Sequence, residues 1–462
     1  MSADRILYLN AAMPTSEQKT YSTFCVLWGL ATLFHLVAKD PWPAPLLSTL
    51  LAAAALFLLH RPSEPHRLVL LAVLQMCESW TTAPFISNHW LFTGLVNLTL
   101  LQAYARQAWA GRTFAVEPGA LYRSFVPIVR LELIILYFFA VFHKLNADFL
   151  NPQTSCAVHF YAAQLQSLPF ALAGAVPIYL TLAVEAAIPL LLCWAPTRYA
   201  GILLGLLFHG AVGFNPISEF YNFSSMIFAL LFLFASPRLD TGWPSRRLFE
   251  SARWGDMPFS GKSFLAVGAV VVGLGLLVAL NNLIAAPAEL VLPLWGLYSA
   301  GLILLFVILP KAPPMRPAFS CRPWPVLLVP LLTGLNGCSP YLGLKTETAF
   351  AMYSNLRTEG GQSNHLLVPA GVQVFGFQQD LVEIKDSSSG FLASLARRKL
   401  MLPFFEVRAL LQQHPNTSLT YERHSGSSAS PDAQLRQPIP WPLRKLLYFR
   451  PVAPSGQQPC FH

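Results

Sequence analysis

The sequence predicts an all-α polytopic membrane protein, with about nine to eleven transmembrane helices and a small α+β extracytoplasmic C-terminal region. The 462 residues are 54% hydrophobic and only 11% charged, with a mean hydropathy of +0.48, whereas a soluble chain carries about 25% charged residues. The charged residues are clustered, which leaves long apolar runs between them. Residues 339–462 are more polar and contain an alternating apolar pattern. We therefore expect a membrane domain over residues 1–338 and a separate C-terminal region over residues 339–462.

The apolar runs give the candidate spans, because about 20 apolar residues cross a bilayer as a helix. Several runs are shorter than this, so their boundaries are approximate. Ten runs are candidates, and an eleventh, Trp324–Leu335, is short and broken by proline. The ten are Tyr21–Ala38, Leu46–Leu59, Leu68–Thr82, Trp90–Ala105, Phe125–His143, Ile178–Trp194, Tyr199–Val212, Phe223–Ala235, Phe264–Ile284 and Leu292–Pro310.

The C-terminal region has four recognisable parts. Val368–Lys385 alternates apolar and polar residues, which predicts half-buried strands. Gly390–Gln413 predicts one or two helices interrupted by Pro403, and Ser425–Pro431 predicts a flexible polar link. Pro438–Pro454 is rich in proline, and we expect it either to lie on the membrane surface or to form a disordered tail.

Loop charges orient the predicted spans. Cytoplasmic loops are enriched in lysine and arginine, and the loops after odd-numbered runs carry only Lys39 and Lys144. This asymmetry predicts a cytoplasmic N-terminus and places His89, Lys144, Asn215 and the C-terminal region on the extracytoplasmic side. It also accounts for the net charge of +9 without a nucleic-acid partner. The loops after even-numbered runs carry Arg61, Arg67, Arg106, Arg112, Arg123, Arg198, Arg238, Arg246, Arg247, Arg253, Lys262, Lys311, Arg316 and Arg322.

The seven cysteines show no spacing typical of a metal site, and no metal is predicted. Cys156, Cys338 and Cys460 would face the oxidising side if the topology holds. An oxidising compartment would allow a disulfide among these three cysteines, and the sequence leaves its connectivity open.

Lys144 is the most informative single residue, because it ends a long apolar run. An ionisable group costs about 2.5–3.5 kcal/mol at the centre of a spanning helix, and less near an end. One interpretation is a lysine whose ammonium reaches the headgroups. A second is pairing with Asp148, which shares a helix face if the helix continues. The third is functional, since an amine in apolar surroundings can act as a general base.

Further polar groups lie at the same predicted side of the membrane. In Ser87-Asn88-His89-Trp90, helix capping explains Ser or Asn but does not explain His89, which is able to stabilise a developing oxyanion. His209 lies inside a run, where histidine most often bonds a neighbouring helix. Glu185 also lies within a run and needs a partner there, and Arg130 in the fifth run is a candidate.

Signatures of other enzyme classes are missing from the sequence. It contains no Gly-Xaa-Ser-Xaa-Gly elbow, no phosphate loop and no His-Glu-Xaa-Xaa-His motif. A transporter typically has broken helices at matching positions of two halves, and no such twofold pattern is evident.

The stretch Tyr137-Phe-Phe-Ala-Val-Phe-His-Lys-Leu-Asn-Ala-Asp-Phe149 resembles a motif of vitamin K-dependent γ-glutamyl carboxylases and the wider HTTM (horizontally transferred transmembrane) group. Lys144 falls on the catalytic base of that family. Ser87-Asn88-His89 is similar to its Asn-Asn-His, with His89 at the position held to stabilise the oxyanion. His209–Phe220 and Ser339–Gly360 are looser likenesses in the same order, so the resemblance spans about residues 15–370.

The resemblance implies an enzyme in which a lysine amine deprotonates vitamin K hydroquinone or another quinol. Oxygen and carbon dioxide are co-substrates, and a glutamate γ carbon is carboxylated. The expected partners are the bilayer, a lipophilic quinone and an extracytoplasmic peptide or protein substrate. The residues expected to bind substrate or cofactor are Asn88, His143, Asp148, His209 and Asn215.

Three departures from the family pattern are visible: His143 replaces a lysine, Val141 a glycine and Phe149 a tryptophan. The chain also has no room for the large lumenal domain that holds the protein substrate in animal carboxylases. A non-catalytic HTTM scaffold or lipid-binding protein is therefore one alternative function, and a transporter is the other.

Overall fold

The computed structural model describes residues 16–38, 45–165, 174–235, 273, 288–308, 318–319, 324–424, 435, 437–454 and 456–460. Of the predicted run Phe264–Ile284, only residue 273 lies in these ranges. Lys39, the predicted link Ser425–Pro431 and the basic loop residues between 238 and 322 also lie outside them.

The described helices up to residue 342 are α1 (Ser16–Val37), α2 (Pro45–His60), α3 (Pro65–Thr82), α4 (Asn88–Gly111), α5 (Pro118–Phe142), α6 (Ala147–Leu150), α7 (Cys156–Leu165), α8 (Val176–Cys193), α9 (Arg198–Val212), α10 (Phe220–Phe232), α11 (Ala288–Ile308) and α12 (Leu328–Leu342).

Each predicted apolar run within the described ranges is helical, and together these helices indicate a membrane protein. Helices α2 and α10 are also apolar but are shorter than the length that crosses a bilayer. The proline-broken run near residue 330 forms a short 3₁₀ turn and then α12, so it is longer than predicted. Five helical stretches of the described chain are long and apolar enough to cross a bilayer: Glu17–Val37, Pro118–Phe142, Val176–Cys193, Leu290–Ile308 and Pro325–Leu342.

Helix α1 lies in the middle of the bundle, in contact with α2, α5 and α10. Its aromatic residues Phe24, Trp28 and Phe34 are buried. Several polar side chains in this core bond to each other, which offsets the cost of burying them. Gln75, for example, accepts hydrogen bonds from Trp28 at 3.1 Å and from Asn97 at 2.9 Å.

The C-terminal region folds around one small antiparallel sheet. Its elements are β1 (Leu381–Ser387), α13 (Gly390–Arg398), β2 (Met401–Pro403), α14 (Phe404–Gln413), β3 (Leu419–Arg423) and α15 (Trp441–Leu446). The strand order is β2-β1-β3, and Val382 of β1 lies opposite Leu402 on one side and Arg423 on the other. The apolar side chains of α13 and α14 pack with those of the sheet.

Two predictions for this region need correction. The strand predicted from Val368 begins only at Leu381, because the amides of Val374 and Phe375 donate to the Leu342 carbonyl at the end of α12 instead of to a neighbouring strand. For the proline-rich segment after residue 438, the disordered-tail alternative is wrong in the described part, where α15 is followed by a bridge between Val452 and Met401. The predicted interruption at Pro403 is confirmed, since β2 separates α13 from α14.

Two connections tie the C-terminal region to the bundle near Lys144. A β-bridge joins Asn146 to His365. A disulfide joins Cys156, at the start of α7, to Cys460, whereas Cys338 is a free thiol. The C-terminal region therefore helps to form the polar end of the bundle where the predicted site residues lie.

Candidate functional site

Lys144 lies in a tight turn between α5 and α6, so the helix does not continue as far as Asp148. Asn146 holds this turn by three hydrogen bonds. Its Oδ1 accepts from the Phe149 amide at 2.8 Å and caps α6, and its Nδ2 donates to the carbonyls of His143 at 2.7 Å and Ser354 at 2.6 Å. The result is a fixed backbone that directs the Lys144 side chain into the bundle, where the residue is 5% exposed.

The amine of Lys144 pairs with Glu185 of α8. Its Nζ lies 2.7 Å from Oε2 of Glu185 and 3.1 Å from the Ala140 carbonyl oxygen. Both side chains are largely buried, at 7% and 14% exposure. A short contact between buried opposite charges is much stronger than one in water. Lys144 is therefore a partnered group in the interior.

The sequence suggested Arg130 as a partner for Glu185 and Asp148 as a partner for Lys144, and both pairings are wrong. Arg130 does not reach Glu185, since its guanidinium donates to the carbonyls of Leu233 and Ala318. Asp148 accepts a hydrogen bond of 2.6 Å from Asn364 of the C-terminal region. Asp148 is separated from Lys144 because the chain turns at Lys144 instead of continuing as one helix, and the Lys144–Glu185 contact is possible because α5 packs against α8.

Lys144 and His89 line one cavity of about 470 Å³. They belong to different parts of the bundle, the end of α5 and the start of α4. Asn88, His209 and Asn215 line the same cavity, so five of the seven predicted site residues lie together. Its apolar walls include Leu136, Phe149, Phe208, Phe220, Phe223 and Ile227.

His89 is held by aromatic neighbours at the cavity edge. The residue is 8% exposed, and its Nε2 lies 3.3 Å from the Ser87 hydroxyl. Its ring meets the edge of His35 at 5.7 Å between centroids, and His35 stacks on Trp90 at 3.4 Å. The indole of Trp90 donates in turn to buried Glu78. This packing fixes the imidazole towards the cavity.

The other three predicted residues that line the cavity also hold the structure around it. His209 Nε2 lies 2.7 Å from the hydroxyl of Tyr137, which lines the cavity two helical turns before Lys144. Oδ1 of Asn88 accepts a hydrogen bond of 2.6 Å from the amide of Phe350. Asn215 donates to the Phe160 carbonyl at 3.0 Å.

His143 and Asp148 are the two predicted site residues that do not line the cavity. His143 is fully buried, with Nε2 3.1 Å from the Ala349 carbonyl and Nδ1 2.8 Å from the Tyr341 hydroxyl. Burial lowers the pKa of His143 to about 3. A neutral imidazole donates to the carbonyl and accepts from the hydroxyl. His143 and Asp148 thus fix the turn behind Lys144.

Sequence reasoning missed the contribution of the C-terminal region to this cavity. Glu347, Tyr353, Tyr448 and Arg450 line it, and Arg450 is 5% exposed. Nε of Arg450 lies 3.5 Å from buried Glu359. No sequence signal links positions 347 or 450 to Lys144, because they lie some 200 to 300 residues further along the chain.

No group of three or more His, Cys, Asp or Glu in the described ranges is placed to hold a metal ion. The chain was also compared with protein families, curated proteins and solved structures. No family model, no curated protein and no solved structure matches it.

Proposed function

We propose that this protein is a membrane enzyme that uses a quinol and oxygen to carboxylate a glutamate-type side chain. The observation that carries the proposal is that Lys144 and His89, two distant residues with complementary chemistry, line one cavity. The resemblance of their surroundings to the carboxylase motif supplies the reaction class.

The cavity suits an aromatic ring with an isoprenoid tail. Ligand pockets typically measure about 300–1,000 Å³ and are mostly apolar with a few placed polar groups. This cavity measures about 470 Å³ and combines phenylalanine walls with Lys144, His89 and the Tyr137–His209 pair. When bound there, a quinol supplies an ionisable hydroxyl and the electrons that reduce oxygen.

Lys144 is the proposed base, with Glu185 as its charge partner. The carboxylate holds Nζ at the cavity wall, where a bound quinol hydroxyl would be within reach. It is also placed to neutralise the ammonium that forms when the amine takes a proton, so that no isolated charge is left in the buried site. The 2.7 Å contact therefore supports the base function of Lys144.

His89 is the proposed stabiliser of negative charge that develops on an oxygen. Fixed hydrogen-bond donors are most effective in a water-poor site, because they need no reorganisation during the reaction. The stacked His35 and Trp90 rings limit the motion of the neighbouring imidazole. This rigidity supports a fixed position of the His89 imidazole beside the developing negative charge, which a mobile surface histidine would lack.

The loop charges support an extracytoplasmic location for this end of the bundle. The Cys156–Cys460 disulfide supports the same side, since disulfides persist in oxidising compartments. A peptide or protein substrate would then approach from outside the cytoplasm, while a quinone enters from the bilayer.

The test measures oxygen uptake and incorporation of labelled carbon dioxide into a glutamyl peptide, with purified protein and a reduced naphthoquinone. Lys144→Ala is expected to reduce the rate by about 10²–10⁴-fold, the usual loss for a general base. His89→Ala is expected to reduce it by about 10²–10³-fold, the usual loss for one donor to a developing oxyanion. Lys385→Ala is the matched control, because this lysine is 43% exposed in the C-terminal region. Full activity of Lys144→Ala would overturn the proposal.

Two further measurements, quinone binding and solute exchange, separate the two alternatives. Quinone binding without uptake of either gas favours a lipid-binding protein. A transporter needs a polar path near Glu185 and His209, and both residues do line the cavity. Solute exchange across sealed vesicles that is lost in Glu185→Gln would favour transport.

A further inference from the structure

A loop of the C-terminal region exposes an unusual number of apolar side chains. Five of them are between 42% and 73% exposed. The chain from residue 366 to residue 379 carries no charged residue. Such a run is unfavourable in water, and clustered apolar exposure marks an interaction surface. The five are Leu366, Leu367, Val372, Val374 and Phe375.

The loop is fastened at both ends to the ends of two apolar helices. The Leu366 amide donates to the Leu145 carbonyl, just after α5, at 2.9 Å. The Phe375 amide donates to the Leu342 carbonyl, at the end of α12, also at 2.9 Å. The two helices end side by side, with the rings of Phe142 and Tyr341 5.5 Å apart.

The apolar surface of the loop continues the apolar outer faces of these two helices. On α12, Leu331 is 60% exposed and Leu335 is 49% exposed. On α5, Phe138 is 55% exposed. Both helices are long and apolar enough to cross a bilayer, so their exposed faces fit lipid.

We propose that the loop formed by residues 366–375 enters the lipid monolayer at the membrane face where α5 and α12 end. The bilayer, and not a second protein, is the occupant that fits this surface, because the surface is continuous with the lipid-facing sides of two spans. This inference does not depend on the proposed enzymatic function.

The loop also adjoins the turn that carries Lys144. Asn364 donates to Asp148 at 2.6 Å, and His365 Nε2 lies 2.8 Å from the Phe142 carbonyl oxygen. These residues immediately precede the exposed apolar stretch. Lipid that holds the loop therefore also holds the Lys144 turn at a fixed depth relative to the membrane surface.

The test places a nitroxide label at Leu367→Cys or Val374→Cys in protein reconstituted into phosphatidylcholine vesicles. The background replaces the five cysteines outside the disulfide with serine. Collision of the label with oxygen, which concentrates in lipid, is compared with collision with a water-soluble nickel chelate. Leu331→Cys on α12 is the lipid reference, and exposed Asn416→Cys is the water reference.

Both loop labels are expected to follow Leu331→Cys, with a several-fold excess of oxygen over nickel collisions. Values like those of Asn416→Cys would overturn the proposal. Shielding from both reagents would also overturn it and would indicate a protein partner instead. A second measurement uses the unmodified protein: a phospholipid with a photoreactive acyl chain should label the tryptic peptide 358–385, and an unlabelled peptide contradicts the inference.

Discussion

Lys144, in the turn after α5, donates a hydrogen bond of 2.7 Å to the carboxylate of Glu185 in α8. The two residues are 41 positions apart, and their contact joins two apolar helices beside the cavity. A base with a buried charge partner and a purely structural ion pair share this geometry. They differ in how activity responds to substitution of either residue.

Glu185→Gln tests the pair directly. The amide keeps the shape of the side chain but removes the charge that stabilises the Lys144 ammonium. We expect a lower maximal rate, because the neutral amide no longer holds Nζ of Lys144 at the cavity wall through a charge-assisted contact. The measurement is the initial rate of carbon dioxide incorporation at saturating quinol.

Asp148→Asn is the matched control for that rate. Asp148 is a nearby acid that accepts a hydrogen bond from Asn364 and does not pair with the lysine. Its variant is expected to keep the parental rate within a few-fold, because the amide oxygen still accepts from Asn364. An equal loss in both variants would show that the effect is general electrostatics and not the Lys144–Glu185 contact.

His143 gives a prediction for acid stability. Burial lowers its pKa to about 3, whereas an unfolded histidine has a pKa of about 6.5. Between these values the unfolded state binds more protons, so the free energy of unfolding falls as the pH decreases from about 6.5 towards 3. In detergent, the thermal midpoint of the parent should therefore fall more between pH 7 and pH 4.5 than that of His143→Gln. The exposed His414→Gln should behave like the parent, and a steep response in His143→Gln would contradict the assignment.

Glu406 gives the opposite dependence in the C-terminal region. Burial raises its pKa to about 8, although the Phe449 amide donates to its Oε2 at 3.1 Å. The folded state binds more protons than the unfolded state between about pH 4.5 and pH 8, so stability falls as the pH rises through this window. Hydrogen exchange of α14 should accelerate from pH 6 to pH 8.5, after correction for intrinsic rates, in the parent and less in Glu406→Gln. Glu422→Gln, which changes an exposed acid, should leave the parental dependence unchanged.

The disulfide gives a prediction for the cavity wall. Cys156–Cys460 fastens the chain end that follows Tyr448 and Arg450, two residues that line the cavity. The double replacement Cys156→Ser and Cys460→Ser should lower stability by about 2–4 kcal/mol, as loss of a native disulfide commonly does. It should also weaken quinone binding, measured by fluorescence quenching. Cys77→Ser removes an exposed free thiol and should change neither quantity.

The C-terminal loops show where sequence reasoning failed. The alternation after Val368 is typical of a strand, yet no strand of the described ranges pairs with residues 368–380, and the amides of Val374 and Phe375 donate to the end of α12 instead. Strand formation depends on a partner as well as on a pattern, and the partner is a tertiary property. The break at Pro403 was predictable because proline removes a backbone donor within its own segment.

The helical apolar domain and five of the residues that line the cavity were predictable from the sequence, because a long apolar run requires a helix in lipid and an isolated polar group within it stands out. Three features came from the folded structure alone: Lys144 pairs with Glu185, His143 and Asp148 lie behind the turn, and Tyr448 and Arg450 complete the wall. These features depend on helix rotation and long-range packing, which select each partner. Composition and spacing along one chain do not specify which faces meet.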